Sequence, residues 1–167
     1  MTKGSSSLRA RVSPRELVTE RVTVLSVSPL EEDHFRLQDI LSGAHRDLHP
    51  GLVFTMTAKS SLSAAKIALK QGRVSIVICE HALSPGSWKD LLDFASGAPS
   101  APLLIVTSRI ADERMWAEVL NLGGHDVLAK PLRSEEVIRT VTSAWNRWQH
   151  CSQPADLSAR RAGGSAA

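Results

Sequence analysis

Five times along the chain an apolar run of four to six residues is followed by a segment whose apolar positions recur at helical spacing. VTVLSV (22–27) precedes EEDHFRLQDILSG (31–43), where Phe35, Leu37, Ile40 and Leu41 fall near helical spacing and Gly43 is expected to stop the helix. LVFTMT (52–57) precedes SSLSAAKIALKQG (60–72), opened by capping serines and closed by Gly72. SIVIC (75–79) precedes WKDLLDFASG (88–97), and LLIVT (103–107) precedes ADERMWAEVLNLGG (111–124). DVLA (126–129) precedes SEEVIRTVTSAWNRWQ (134–149), with Ser134 as cap and Val137, Val141, Trp145 and Trp148 along one stripe. Strands this apolar are covered on both faces, so they pair in parallel through right-handed helical crossovers. The predicted fold is α/β, a doubly wound five-stranded parallel sheet with its site beyond the carboxyl ends of the strands.

At 167 residues one domain with a full core fits and two would be cramped. The domain is expected over 20–149, between disordered tails at 1–19 and 150–167 that are rich in small and basic residues. Twenty basic against 17 acidic residues leave a net charge of +3, too slight an excess to imply nucleic acid. No apolar run is long enough for a membrane span, and Cys79 and Cys151 match no metal or redox spacing, so a reduced, cytoplasmic protein is expected. Cys79 reads as a small core residue whose pKa the neighbouring Glu80 would raise. His45 and His49 stand four apart before Pro50-Gly51, which reads as a loop without a third ligand, and His81 and His125 fall at opposite ends of the sheet. With no nucleophile elbow, dinucleotide turn or phosphate loop, nothing in the sequence supports an enzyme.

The third run breaks its own pattern: after five residues without charge it ends on Glu80. The same sheet end should gather Ser26, Val27 and Ser28 after the first strand, Thr107-Ser108 after the fourth and Lys130-Pro131 after the fifth. That set, in this order of elements, resembles the receiver domain of bacterial response regulators over roughly residues 20–149, which implies a flavodoxin-like (βα)5 fold. In that family an aspartate at the place of Glu80 accepts a phosphoryl group from a histidine kinase, and two acidic residues at the places of Ser26 and Val27 hold Mg²⁺. Thr107 matches the hydroxyl that bonds the phosphoryl oxygen, Lys130 before a cis Pro131 matches the neutralising lysine, and Val127 stands where an aromatic residue often moves with the threonine.

Serine and valine cannot supply the carboxylates Mg²⁺ needs, so metal binding is expected to be weak or absent, with no other cofactor. Two readings of Glu80 stand. Its longer side chain could place a fixed charge near Lys130 and Thr107, a partial imitation of a phosphoryl group with one charge in place of roughly two. Or it is a structural ion pair in a degenerate site. Glu31, Glu32 and Asp33 are read as first-turn acids complementing the helix dipole, not as a rebuilt metal site. On the fourth helix Met115, Val119 and Leu122 should meet the sheet, leaving Trp116 and Leu120 partly exposed. The resemblance makes the fourth helix, fifth strand and fifth helix a contact surface for a histidine kinase, an output protein or a second copy. With no further folded segment expected, the functional expectation is a single-domain, atypical receiver in phosphorelay signalling. The alternatives are a phosphorylatable receiver with an unconventional pocket and a small flavodoxin-like ligand binder or enzyme.

Overall fold

The computed structural model describes residues 19–47 and 51–152. Its elements alternate without exception: β1 (Glu20–Val27), α1 (Glu31–Asp47), β2 (Leu52–Lys59), α2 (Leu62–Gln71), β3 (Ile76–Glu80), α3 (Trp88–Ser96), β4 (Leu103–Ser108), α4 (Glu113–Leu122), β5 (Asp126–Ala129) and α5 (Ser134–Ser152). All neighbours pair in parallel, in the order β2-β1-β3-β4-β5. The winding reverses between β1 and β3, which opens a crevice above their carboxyl ends, as the alternation predicts.

Every residue of β3 is buried, because its alternate side chains enter two different cores. Ile76 and Ile78 join Val22, Val24, Ile105 and Leu128 beneath α1 and α5, whereas Val77 and Cys79 join Leu25, Val27, Leu104 and Val106 beneath α2, α3 and α4. Trp145 and Trp148 stack with ring centroids 5.2 Å apart, and Trp145 Nε1 donates to Glu20 Oε2 at 3.1 Å, fastening α5 to the start of β1. Among the described residues no helix is long and apolar enough to cross a membrane.

Several element ends differ from the sequence expectation. Helix α1 passes through Gly43 because Ala44, buried in the core, carries the apolar stripe another turn. His45 is therefore helical rather than in a loop, and His49 lies outside the described residues. Asp112 caps α4 by accepting from Met115 N–H at 2.8 Å, so the helix starts two residues later than the acidic run suggested. Ser134 is the first helical residue of α5 instead of its cap, and its hydroxyl accepts from Arg36 Nη2 at 3.4 Å. Buried Trp148 anchors the last turns of α5, which continues to Ser152. The expected tails otherwise lie outside the described residues.

Leu122 is 52% exposed, not part of the core as its spacing suggested. The chain turns back immediately after it: Gly123 adopts the left-handed conformation (φ 102°) and Gly124 N–H donates to Val119 O at 2.8 Å, leaving Leu122 at the helix end. Gly124 sits so close under Val119 that a Cβ there would lie 2.4 Å from Val119 Cγ1 and 2.9 Å from Val119 O. Val119 and Met115 thus do the packing, and Leu122 overhangs.

Candidate functional site at the carboxyl end of the sheet

Three strand ends and one helix start converge on a single ammonium group. Glu80 and Thr107 are register partners on β3 and β4, which brings their side chains together above the sheet. Lys130 follows β5, its N–H donating to Ser108 O at 2.9 Å, and its side chain runs back across the strand ends. Lys130 Nζ is in ion-pair contact with Glu80 Oε2 and lies 2.5 Å from Asp33 Oδ2. Thr107 Oγ1 donates to Glu80 Oε2 at 3.3 Å, and Ala82 N–H donates to Glu80 Oε1 at 3.3 Å, so both carboxylate oxygens are occupied. The side chains of Lys130, Asp33 and Glu80 are only 8, 12 and 11% exposed, so these charges interact with little screening.

Asp33 corrects the sequence reading. A helical side chain tilts toward the helix N-terminus, so a carboxylate in the first turn of α1 overhangs the end of β1. There Asp33 Oδ2 accepts from Ser28 Oγ at 2.5 Å as well as from Lys130. Glu31 and Glu32 do remain outside, exposed, with Glu32 Oε1 3.8 Å from Arg109 Nη2.

The places matched to the metal-holding acids are filled otherwise. Val27 points into the apolar cluster beneath α2 and α3, away from the site. Ser26 Oγ lies 2.7 Å from His34 Nδ1, and His34 Nε2 lies 3.0 Å from Ser28 O. A carbonyl can only accept, so Nε2 donates to Ser28 O, while Nδ1 is hydrogen-bonded to the Ser26 hydroxyl. His34, on the second turn of α1, is a residue that sequence reasoning missed; its spacing from Ser26 and Ser28 was the available signal.

These residues do not fit Mg²⁺. The ion needs near-octahedral oxygen ligation with carboxylates free to bind it, but Ser26 is engaged by an imidazole and both nearby carboxylates are engaged by Lys130. Among the described residues no group of three or more His, Cys, Asp or Glu side chains is placed to hold a metal ion.

The peptide between Lys130 and Pro131 is cis, as the resemblance implies. Val127 is buried against α4 in the core cluster that includes Val119. Cys79, directly below, is no nucleophile: burial first and the Glu80 charge second push its thiol up to about 12. On α4, Trp116 is 47% and Leu120 39% exposed, joined by exposed Ile110 and Leu122. His81 and His125 do not converge, since β5 starts at the opposite end of the sheet from the close of β3.

The site thus belongs to a flavodoxin-like α/β module with an acid, a hydroxyl and a lysine at three successive strand ends. No family model matches the chain, and no curated protein matches it by sequence. Solved structures do. The signal receiver domain of an HD domain-containing protein from Pseudomonas fluorescens superposes with a TM-score of 0.66 at 23% identity, over 78% of this chain and 99% of that one. A chemotaxis response regulator of Vibrio cholerae gives 0.64 at 12% identity over 75% and 99%. A response regulator receiver domain from Clostridium thermocellum gives 0.64 at 16% over 78% and 98%. The chain has the receiver fold.

Proposed function

We propose that the chain is an atypical receiver module of phosphorelay signalling, cytoplasmic and without catalytic activity of its own, that works by protein contact with Glu80 as a built-in negative charge. The observation that carries this reading is that one oxygen of Glu80 is held by both Lys130 and Thr107, the two groups that in the resembled family answer a phosphoryl group. A carboxylate fixed there supplies part of that charge with no transfer step. The contact surface is the α4, β5 and α5 side, where Trp116 and Leu120 offer apolar anchors to a histidine kinase, an output protein or a second copy.

Intact-mass measurement after incubation with acetyl phosphate and Mg²⁺ tests the chemistry. The natural chain should stay unmodified, while a variant carrying Glu80→Asp, Ser26→Asp and Val27→Asp should gain phosphate. An adduct on the natural chain would favour a phosphorylatable receiver instead. Affinity capture from a cell extract tests the signal: Glu80→Gln should bind its partners more weakly than the natural chain, and unchanged capture sinks the fixed-charge reading.

A further inference from the structure

The resembled family keeps both a lysine and a divalent ion beside the acid that closes β3, whereas in this chain the lysine alone bridges that acid and Asp33. We infer that Lys130 is a tethered substitute for that ion: its ammonium occupies the position between Asp33 and Glu80 that a metal would otherwise claim, and it keeps the module insensitive to Mg²⁺. The inference deepens the receiver reading and rests on it only for the expectation of a metal.

The geometry is specific. Asp33 reaches Lys130 Nζ from the first turn of α1 and Glu80 reaches it from the end of β3, so two carboxylates from separate elements converge on one nitrogen. Two carboxylates sharing one small cation is the donor set Mg²⁺ or Mn²⁺ accepts when water completes the shell. Ser28 Oγ, on Asp33, holds that carboxylate toward the shared position. Next along α1, His34 engages Ser26 Oγ and Ser28 O, so neither its imidazole nor the Ser26 hydroxyl is free to serve a cation. On the open side a cleft of about 510 Å³ lined by Glu32, Asp33, Arg36, Arg109, Lys130 and Pro131, together with Leu132, leads to solvent and has room for the remaining waters. A divalent ion entering the natural protein would meet the ammonium at contact distance and strip it of both acceptors, and that repulsion in a poorly screened pocket opposes entry.

Removing the ammonium should therefore create a metal site. Lys130→Met keeps the length and the apolar stem of the side chain but leaves Asp33 and Glu80 facing one another without a counter-ion. Mn²⁺ titration followed by calorimetry, with electron paramagnetic resonance to count bound ions, should find no saturable site in the natural chain. Lys130→Met should bind one Mn²⁺ per chain, at least about tenfold tighter than any binding to the natural protein, a difference of about 1.4 kcal/mol. Adding Asp33→Asn should abolish that site. Should Lys130→Met fail to fold, Lys130→Gln, whose amide can still donate to the carboxylates, carries the same test.

One saturable Mn²⁺ in the natural chain that Asp33→Asn removes overturns the inference, whatever the variants do. So does a folded Lys130→Met or Lys130→Gln that binds no better than the natural chain. Partner capture is scored separately: capture insensitive to Glu80→Gln would sink the fixed-charge reading and leave the cation result standing, and the reverse outcome would do the opposite.

Discussion

Neutralising Glu80 and Asp33 one at a time should cost far less than neutralising both. In Glu80→Gln the ammonium of Lys130 keeps Asp33 at 2.5 Å, and the new amide oxygen can still accept from Thr107. In Asp33→Asn the ammonium keeps Glu80. Each single change weakens charge-assisted hydrogen bonds without orphaning a charge, so each should destabilise by about 1 kcal/mol. The double variant leaves an ammonium on a side chain only 8% exposed with no carboxylate at all. Breaking a buried pair in that way costs about 3–5 kcal/mol, so the double variant should lose about 4–6 kcal/mol and the coupling should be about 2–4 kcal/mol. Urea unfolding, followed by the fluorescence of the buried tryptophans, reads this directly. With a slope of about 2 kcal/mol/M, each single variant should move the midpoint by about 0.5 M and the double by about 2 M or more. A double variant within about 0.5 kcal/mol of the sum of the singles would refute the reasoning. It would mean that Lys130 swings into solvent once released and that the three charges are not one network.

Other consequences are independent of that site. Gly124→Ala should destabilise by about 1–3 kcal/mol, because its Cβ would meet Val119 at 2.4 Å and the Val119 carbonyl at 2.9 Å; an unchanged melting temperature would show that α4 can shift away. His125 is held below its ordinary value of 6.5, first by burial and further by Arg147, with Asp126 opposing. The folded state therefore resists its protonation, so its contribution to stability is complete above pH 6.5 and is lost as pH falls through that value toward the folded pKa. Urea midpoints measured across that range should fall less steeply for His125→Gln, and equal slopes would exclude His125 as their source. Iodoacetamide should label exposed Cys151 in the folded protein and reach Cys79, whose thiol is pushed up to about 12, only after denaturation; mass spectrometry showing two labels without denaturant would contradict the buried assignment.

The sheet was legible because burial on both faces leaves a plain mark: β3 reads SIVIC followed by Glu80, and a charge-free run of that kind has few other places to go. Helix ends were less legible. Gly43 looked like a stop, but the packing of Ala44 outweighed the modest cost of a helical glycine. Leu122 looked like core because spacing reports the face of a helix and not whether anything lies opposite that face. At the site, Glu80, Thr107 and Lys130 were identified from strand ends, since strand register fixes where such residues meet. Asp33 and His34 were missed for a related reason: strand ends say nothing about how far the next helix leans over them, and that overhang brings Asp33 to Lys130 and His34 to Ser26.

The charged cluster also bears on how the sheet comes apart. Strand β5 has four residues, pairs only with β4 and forms one edge of the sheet. A strand so short would be expected to fray first, with its amides exchanging through local opening. At its carboxyl end, however, the Lys130 side chain hooks over β4 to β3 and α1, so opening β5 from that end also means breaking contacts to Glu80 and Asp33. The last amides of β5 are thereby bound to the fate of the central strand, and their exchange rates would register the state of the charge cluster from a distance.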